Sequence, residues 1–279
     1  MSDRAVQLAA RLPERYAFRS VIGRGAAAYV VLADDLETKT QVAVKILRPQ
    51  VATVVGEKRF QREIEILSQL NHPNILPLLD HGALQRLSLF LVTPYIVGEN
   101  LGQRIKREKQ LPLDDVISIA REVASALDFA HARGVIHRDI KPANILLSDG
   151  RVVVADFGIS RAMAVEESTQ ITRTGVALGT PEYMSPEQIL GVTALDARSD
   201  VYALGCVVYE MLTGTPPFTG PTARDVFRGH RRGIPQSIRA IRAEVPTAIE
   251  GAVMKSLAKL RDERFSSAGE SAEALRSRA

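Results

Sequence analysis

The residues best equipped for chemistry lie in His137-Arg138-Asp139-Ile140-Lys141-Pro142-Ala143-Asn144 and in Asp156-Phe157-Gly158, which follows on the next apolar run. They set two carboxylates and a carboxamide close together, with Asn144 five and Asp156 seventeen positions after Asp139. One carboxylate suits a base that orients a hydroxyl nucleophile. The other, with an amide oxygen, suits a hard divalent cation such as Mg2+. Phosphoryl transfer needs both roles filled side by side. Lys141 adds a cation two positions after Asp139, where it would neutralise charge on a transferring group.

Other segments must be brought to that centre. Val21–Val30 reads as strand–turn–strand, with Gly23 and Gly25 where backbone would approach a ligand and amides would cradle phosphate oxygens. Lys45 closes the apolar run Val42-Ala43-Val44, a strand expected to be buried on both sides, where a lysine needs a partner. Phe60, Ile64, Leu67 and Leu70 recur at helical steps. Glu63 and Glu65 point about 200° apart on that helix, so only one can face the strand.

Strands are expected at Tyr16–Ile22, Tyr29–Ala33, Gln41–Leu47, Ile75–Leu79 and Leu87–Thr93. After Tyr95 the pattern turns helical, at Leu113–Arg133, Asp200–Thr213, Ala248–Leu260 and Ser267–Leu275. Short strands interrupt at Ile145–Leu147 and Val152–Val154. A length of 279 residues allows one large domain or two lobes. A net charge of +4, with both signs interleaved, argues against a nucleic-acid partner. The single cysteine, Cys206, excludes an internal disulfide and sits in an apolar run, as a buried inert thiol would. No apolar run approaches the roughly 18 residues that span a bilayer, and no secretory leader is visible. The expectation is a cytoplasmic protein, or the cytoplasmic part of a longer membrane-anchored one, making no membrane contact through these residues.

On these motifs the chain resembles the protein kinase family, and is most similar to the eukaryotic-like serine/threonine kinases of bacteria, over about residues 16–275. The resemblance implies an α+β, bilobal protein-kinase fold. Its N-lobe (16–95) would be an antiparallel β-sheet with one main helix, and its C-lobe (96–275) mostly helical, between an N-terminal extension (1–15) and a tail (276–279). It implies ATP with Mg2+ or Mn2+ as cofactors, and protein serine and threonine hydroxyls as acceptors. Asp139 would be the catalytic base and Lys141 its companion, with Lys45 paired to Glu63 rather than Glu65. Asn144 and Asp156 would hold the metal. Ile22, Gly23, Arg24, Gly25, Val30, Ala43, Lys45, Thr93, Pro94, Ile96, Asn100 and Leu146 would contact the nucleotide. The pairing of Glu187 with Arg264, and Asp200 as anchor of the catalytic loop, follow from the same resemblance. Arg138 would bind phosphate on Thr172 or Thr174, with self-association allowing autophosphorylation in trans. The family has a third glycine where this chain has Ala28, and often an aromatic where it has Ala27, which implies a looser lid on the phosphates. Only that departure favours the alternative, a pseudokinase acting as a nucleotide-binding scaffold.

Overall fold

A computed structural model gives the fold of residues 3–84, 88–157 and 180–276, except for the side chains of Val54, Glu57, Lys58, Arg59 and Glu63. The described residues divide into two compact units. One contains the chain up to residue 71 and residues 76–97; the other contains 72–75 and the chain from 98 onward.

The first unit begins with a short helix, α1 (Arg4–Ala9), and a five-stranded antiparallel sheet. Its strands are β1 (Tyr16–Arg24), β2 (Ala28–Asp35), β3 (Thr40–Leu47), β4 (Asp80–Leu84) and β5 (Ser88–Pro94), in the order β1-β2-β3-β5-β4. Helices α2 (Pro49–Val55) and α3 (Glu57–Leu67) lie between β3 and β4. Alternation along the strands separates two faces. Tyr29, Val31, Ala33, Val42, Val44, Ile46, Phe90 and Val92 form a buried cluster on one face, which Ala5, Leu8 and Ala9 of α1 join. The opposite face carries Val30 across from Lys45 and Ala43 across from Thr93, all half-buried. The run Val42–Lys45 is therefore sealed on one side only, not on both as its apolar sequence suggests. The expected strand over Ile75–Leu79 is absent; Ile75 makes a single bridge to Val154, and the strand starts at Asp80.

The second unit carries a three-stranded sheet of β6 (Glu99–Asn100), β7 (Ile145–Ser148) and β8 (Arg151–Val154). Around it are the helices α4 (Leu101–Glu108), α5 (Leu113–His131), α6 (Pro186–Ile189), α7 (Ala197–Thr213), α8 (Ala223–Arg232), α9 (Ile238–Ile241), α10 (Thr247–Ser256) and α11 (Ala268–Ala274). Helix α7 is buried on nearly every side, and α5, α10 and α11 pack with it. Burial there pushes the Cys206 thiol well above its ordinary value, which keeps it protonated and unreactive. No helix among the described residues is long and apolar enough to cross a membrane.

Gly98, just before β6, has φ +156°, and a Cβ there would lie 2.1 Å from the Leu147 carbonyl oxygen. Gly150 also has a positive φ, but open space surrounds it. Gly98→Ala should therefore cost about 2–4 kcal/mol, against about 1 kcal/mol for Gly150→Ala. Thermal denaturation of the two variants tests this, and equal shifts in Tm would refute the steric argument.

Candidate active site

The catalytic loop runs from His137 to a tight turn over Pro142–Asn144. Asp139 is half-buried, and its carboxylate oxygen Oδ2 accepts from Lys141 Nζ at 2.7 Å and from Asn144 Nδ2 at 3.2 Å. The Asn144 amide nitrogen also donates to the Asp139 carbonyl, at 2.8 Å. With that nitrogen engaged, Oδ1 is the end of Asn144 that can serve a cation, so the residue fits an oxygen-donor role. Asp156 begins the neighbouring segment in a left-handed conformation, φ +69°. Two hydrogen bonds tie the segments together. The Ala155 N–H donates to the Asn144 carbonyl at 2.8 Å, and His137 Nε2 donates to the Ala155 carbonyl at 2.9 Å. His137 Nδ1 accepts from the Asp139 N–H at 3.2 Å. The fully buried His137 ring also meets the Phe157 ring edge-on, centroids 4.5 Å apart.

The loop is positioned from below by one carboxylate. Asp200, buried on α7, accepts from the His137 N–H (2.8 Å), the Arg138 N–H (2.8 Å) and His131 Nε2 (2.7 Å). The Arg138 carbonyl accepts from Gln188 Nε2 at 2.7 Å. Both backbone groups of Arg138 are thus held, and its φ of +70°, costly for a residue with a side chain, is over-determined. Burial alone would raise the Asp200 carboxyl, but the His131 bond and the nearby histidines hold it below its ordinary value. A second buried anchor sits alongside. Glu187 and Arg264 form a two-pronged pair at 2.7 and 2.8 Å, Ser199 Oγ donates to the same carboxylate, and Arg264 also donates to the carbonyls of Ala258, Arg198 and Lys259. That is the pair expected from the sequence.

The other candidates occupy the first unit. Gly23 lets β1 approach β2, since a Cβ there would press on Val30 at 3.2 Å. None of Ala26, Ala27 and Ala28 needs a positive φ, so alanine is accepted without strain. Nor is the turn slack. The Gly25 N–H donates to the Ala28 carbonyl (2.9 Å), the Arg48 N–H to the Ala27 carbonyl (2.8 Å) and Arg48 Nε to the Gly25 carbonyl (3.0 Å). Ile22 and Arg24 are exposed; Val30, Ala43, Lys45, Thr93, Pro94 and Ile96 are half-buried. In the second unit Asn100 has a structural role, because its side chain accepts from the Gln103 N–H at 3.0 Å and caps α4. Leu146 is half-buried on β7, opposite Asn100. The Glu63 side chain, Thr172 and Thr174 lie outside the described residues.

A comparison with known families decides the lineage: residues 16–271 match the protein kinase domain. The chain belongs to the protein kinase family. It is similar to the serine/threonine-protein kinase PknB of Mycobacterium leprae, 39% identical over 264 residues, covering 93% of this chain and 42% of that protein. A probable serine/threonine-protein kinase of Streptomyces coelicolor is 38% identical over 265 residues, covering 93% of this chain and 39% of that one. The chain thus spans about two-fifths of the length of these relatives. Among solved structures, the kinase domain of Mycobacterium tuberculosis PknI superposes with a TM-score of 0.74 at 29% identity, covering 95% of this chain and 97% of that one. These relatives support a kinase fold and an ATP-dependent serine/threonine phosphotransferase, and give no support to a pseudokinase.

Kinase motifs do not point to three groups that position the site: His131, Gln188 and Arg48. His131 could have been found as the last-turn histidine of a long apolar-faced helix. Gln188 and Arg48 act on backbone atoms and leave no pattern in sequence.

The folded Asp200 carboxyl titrates below its ordinary 3.8. Its contribution to stability is therefore complete above that value and is lost as pH falls through the lower folded value. Asp200→Asn should lower Tm at neutral pH by several degrees and flatten the loss of stability below about pH 4. Melting curves at stepped pH provide the check; an acid limb as steep as that of wild type would remove Asp200 from this role.

Proposed function

We propose that this chain transfers the γ-phosphoryl group of ATP to serine and threonine hydroxyls of proteins. The observation that carries the reading is the Asp139 carboxylate, held at 2.7 Å by Lys141 and at 3.2 Å by Asn144 within one loop. Asp139 orients the acceptor hydroxyl and takes its proton as the oxygen attacks. Lys141 balances charge on the group in transfer, and a lysine at this position favours serine and threonine acceptors within the family. Asn144 Oδ1 and Asp156 are the groups that would hold Mg2+ or Mn2+, and the metal would supply charge neutralisation on the phosphate oxygens. Lys45, with Glu63 as its partner, would bind phosphate; the turn Ile22–Gly25 would cover it. Val30, Ala43, Thr93, Pro94, Ile96 and Leu146 would surround the base, and Asn100 would reach the ribose only by giving up its cap on α4.

The test is transfer of labelled phosphate from ATP to a protein acceptor in the presence of Mg2+ or Mn2+. Asp139→Asn should lower kcat about a hundredfold or more while the KM for ATP stays within a few-fold. Asp156→Asn should instead raise the metal concentration needed for half-maximal rate. No transfer by wild type with either metal would overturn the reading, and an Asp139→Asn enzyme of normal kcat would remove the base.

Regulation by self-phosphorylation belongs to the same reading. A phosphate on Thr172 or Thr174 would add about −1.5 to −2 charge and pair with Arg138. Incubation with ATP should place phosphate on both threonines, read by mass spectrometry, and Thr172→Ala/Thr174→Ala should be less active. Unmodified threonines in an otherwise active enzyme, or a double variant as active as wild type, would sink the idea. Self-association would let one copy modify another.

A further inference from the structure

The N-terminal segment bears on the phosphate-binding turn. Helix α1 is only six residues long, but it is anchored: Ala5, Leu8 and Ala9 are buried in the sheet cluster, and Leu12 packs against it. Asp3 begins the helix and accepts from the Ala5 N–H at 3.1 Å. The same carboxylate takes both guanidinium nitrogens of Arg24, Oδ1 from Nη1 at 2.9 Å and Oδ2 from Nη2 more closely still. Arg24 stands between Gly23 and Gly25 as the last residue of β1, opposite Tyr29, where the strand enters the turn. We infer that the N-terminal segment is a tether for this turn: Asp3, fixed by α1 to the far face of the sheet, holds Arg24 and so sets the position of the backbone that receives phosphate.

Three observations favour a positioning role over an incidental surface contact. The pair is two-pronged, and this geometry restricts orientation as well as distance. Its acidic partner is not a loose side chain, since Asp3 also caps a helix whose inner face is buried. And Arg24 is the last ladder residue of β1, paired across from Tyr29, so anchoring its side chain holds the base from which the turn at Gly25 departs. Arg48 restrains the opposite side of the same turn through the Gly25 and Ala27 carbonyls. The Arg24 guanidinium holds the Asp3 carboxyl down at about 2, so the tether is ionised at neutral pH. Arg24 is exposed and Asp3 only half-buried, and such a pair adds little to global stability. A position effect without a stability effect is what distinguishes the tether from a structural bond.

The inference rests on reading the β1–β2 turn as the phosphate-binding loop of a kinase. Asp3→Asn should raise the KM for ATP roughly two- to five-fold, with kcat within about twofold and Tm unchanged. Asp3→Glu should restore the KM. The exchange Asp3→Arg with Arg24→Asp should recover part of it, while either change alone should not. Hydrogen exchange of amides 22–28 should quicken in Asp3→Asn and not in Asp3→Glu. Leu8→Ala, which loosens α1 itself, should lower Tm and raise the KM together. If wild type transfers no phosphate, the kinase reading fails first. If wild type is active but Asp3→Asn leaves both KM and loop exchange unchanged, the tether is refuted. If Asp3→Asn lowers Tm as much as Leu8→Ala, the carboxylate is a structural cap and the inference is likewise overturned.

Discussion

The loop from His137 to Asn144 depends on one buried carboxylate. Asp200 lies inside the protein and accepts three hydrogen bonds, two of them from consecutive backbone amides of the catalytic loop. An unpaired carboxylate there would be expensive, and so would the two amides without it, so each group makes the other tolerable. Their interdependence carries Arg138 into a left-handed conformation that it would not choose alone, with Gln188 closing the arrangement from the carbonyl side. From that fixed corner the chain turns directly into Asp139. The separation of Asp139, Lys141 and Asn144 is then a local matter, settled by a three-residue turn and a few short bonds.

The first unit uses a different device. It has a buried carboxylate of its own, Asp35, which takes Arg15 and the amides of Glu37 and Thr38, but this serves the turn after β2; the sheet is organised by the alternation of its strands. Every second side chain of β2, β3 and β5 enters a continuous apolar cluster; on the opposite face Leu89 and Leu91 are also buried, while Val30, Ala43, Lys45 and Thr93 are half-buried. The helix at the chain's beginning belongs to the filled side, and it reaches the glycine turn around the edge of the sheet through one acidic residue.

What could be read from the sequence follows from how each feature is encoded. The catalytic loop was legible because its groups are consecutive and chemically distinctive. The long helices Leu113–His131 and Ala197–Thr213 were legible because their apolar residues repeat over four or five turns. Pro49–Val55 was not, since Val51, Thr53, Val54 and Val55 are β-branched and favour a strand by propensity. Ala223–Arg232 carries only two apolar side chains larger than alanine among its basic residues, and only Val226 and His230 are buried. Arg4–Ala9 is too short for any period to show. The Glu187–Arg264 pair spans 77 positions and is visible only through family resemblance, whereas Asp3 and Arg24, both charged, carry no signal at all.

Of the five described non-glycine residues with positive φ, two, Arg138 and Asp156, each stand where a supporting element hands over to a chemical group. Their backbones are held through main-chain atoms. Asp200 and Gln188 bind main-chain atoms of Arg138, and the segment before Asp156 is tied through the Ala155 amide and carbonyl. If the carboxylate of Asp139 had been fixed by a buried partner, as Glu187 is by Arg264, its charge would be spent on structure. Holding the backbone instead leaves the side chain half-exposed, its hydrogen bonds among the described residues coming from its own loop neighbours. The strain at Arg138 and Asp156 is then the consequence of placing a carboxylate accurately without consuming it.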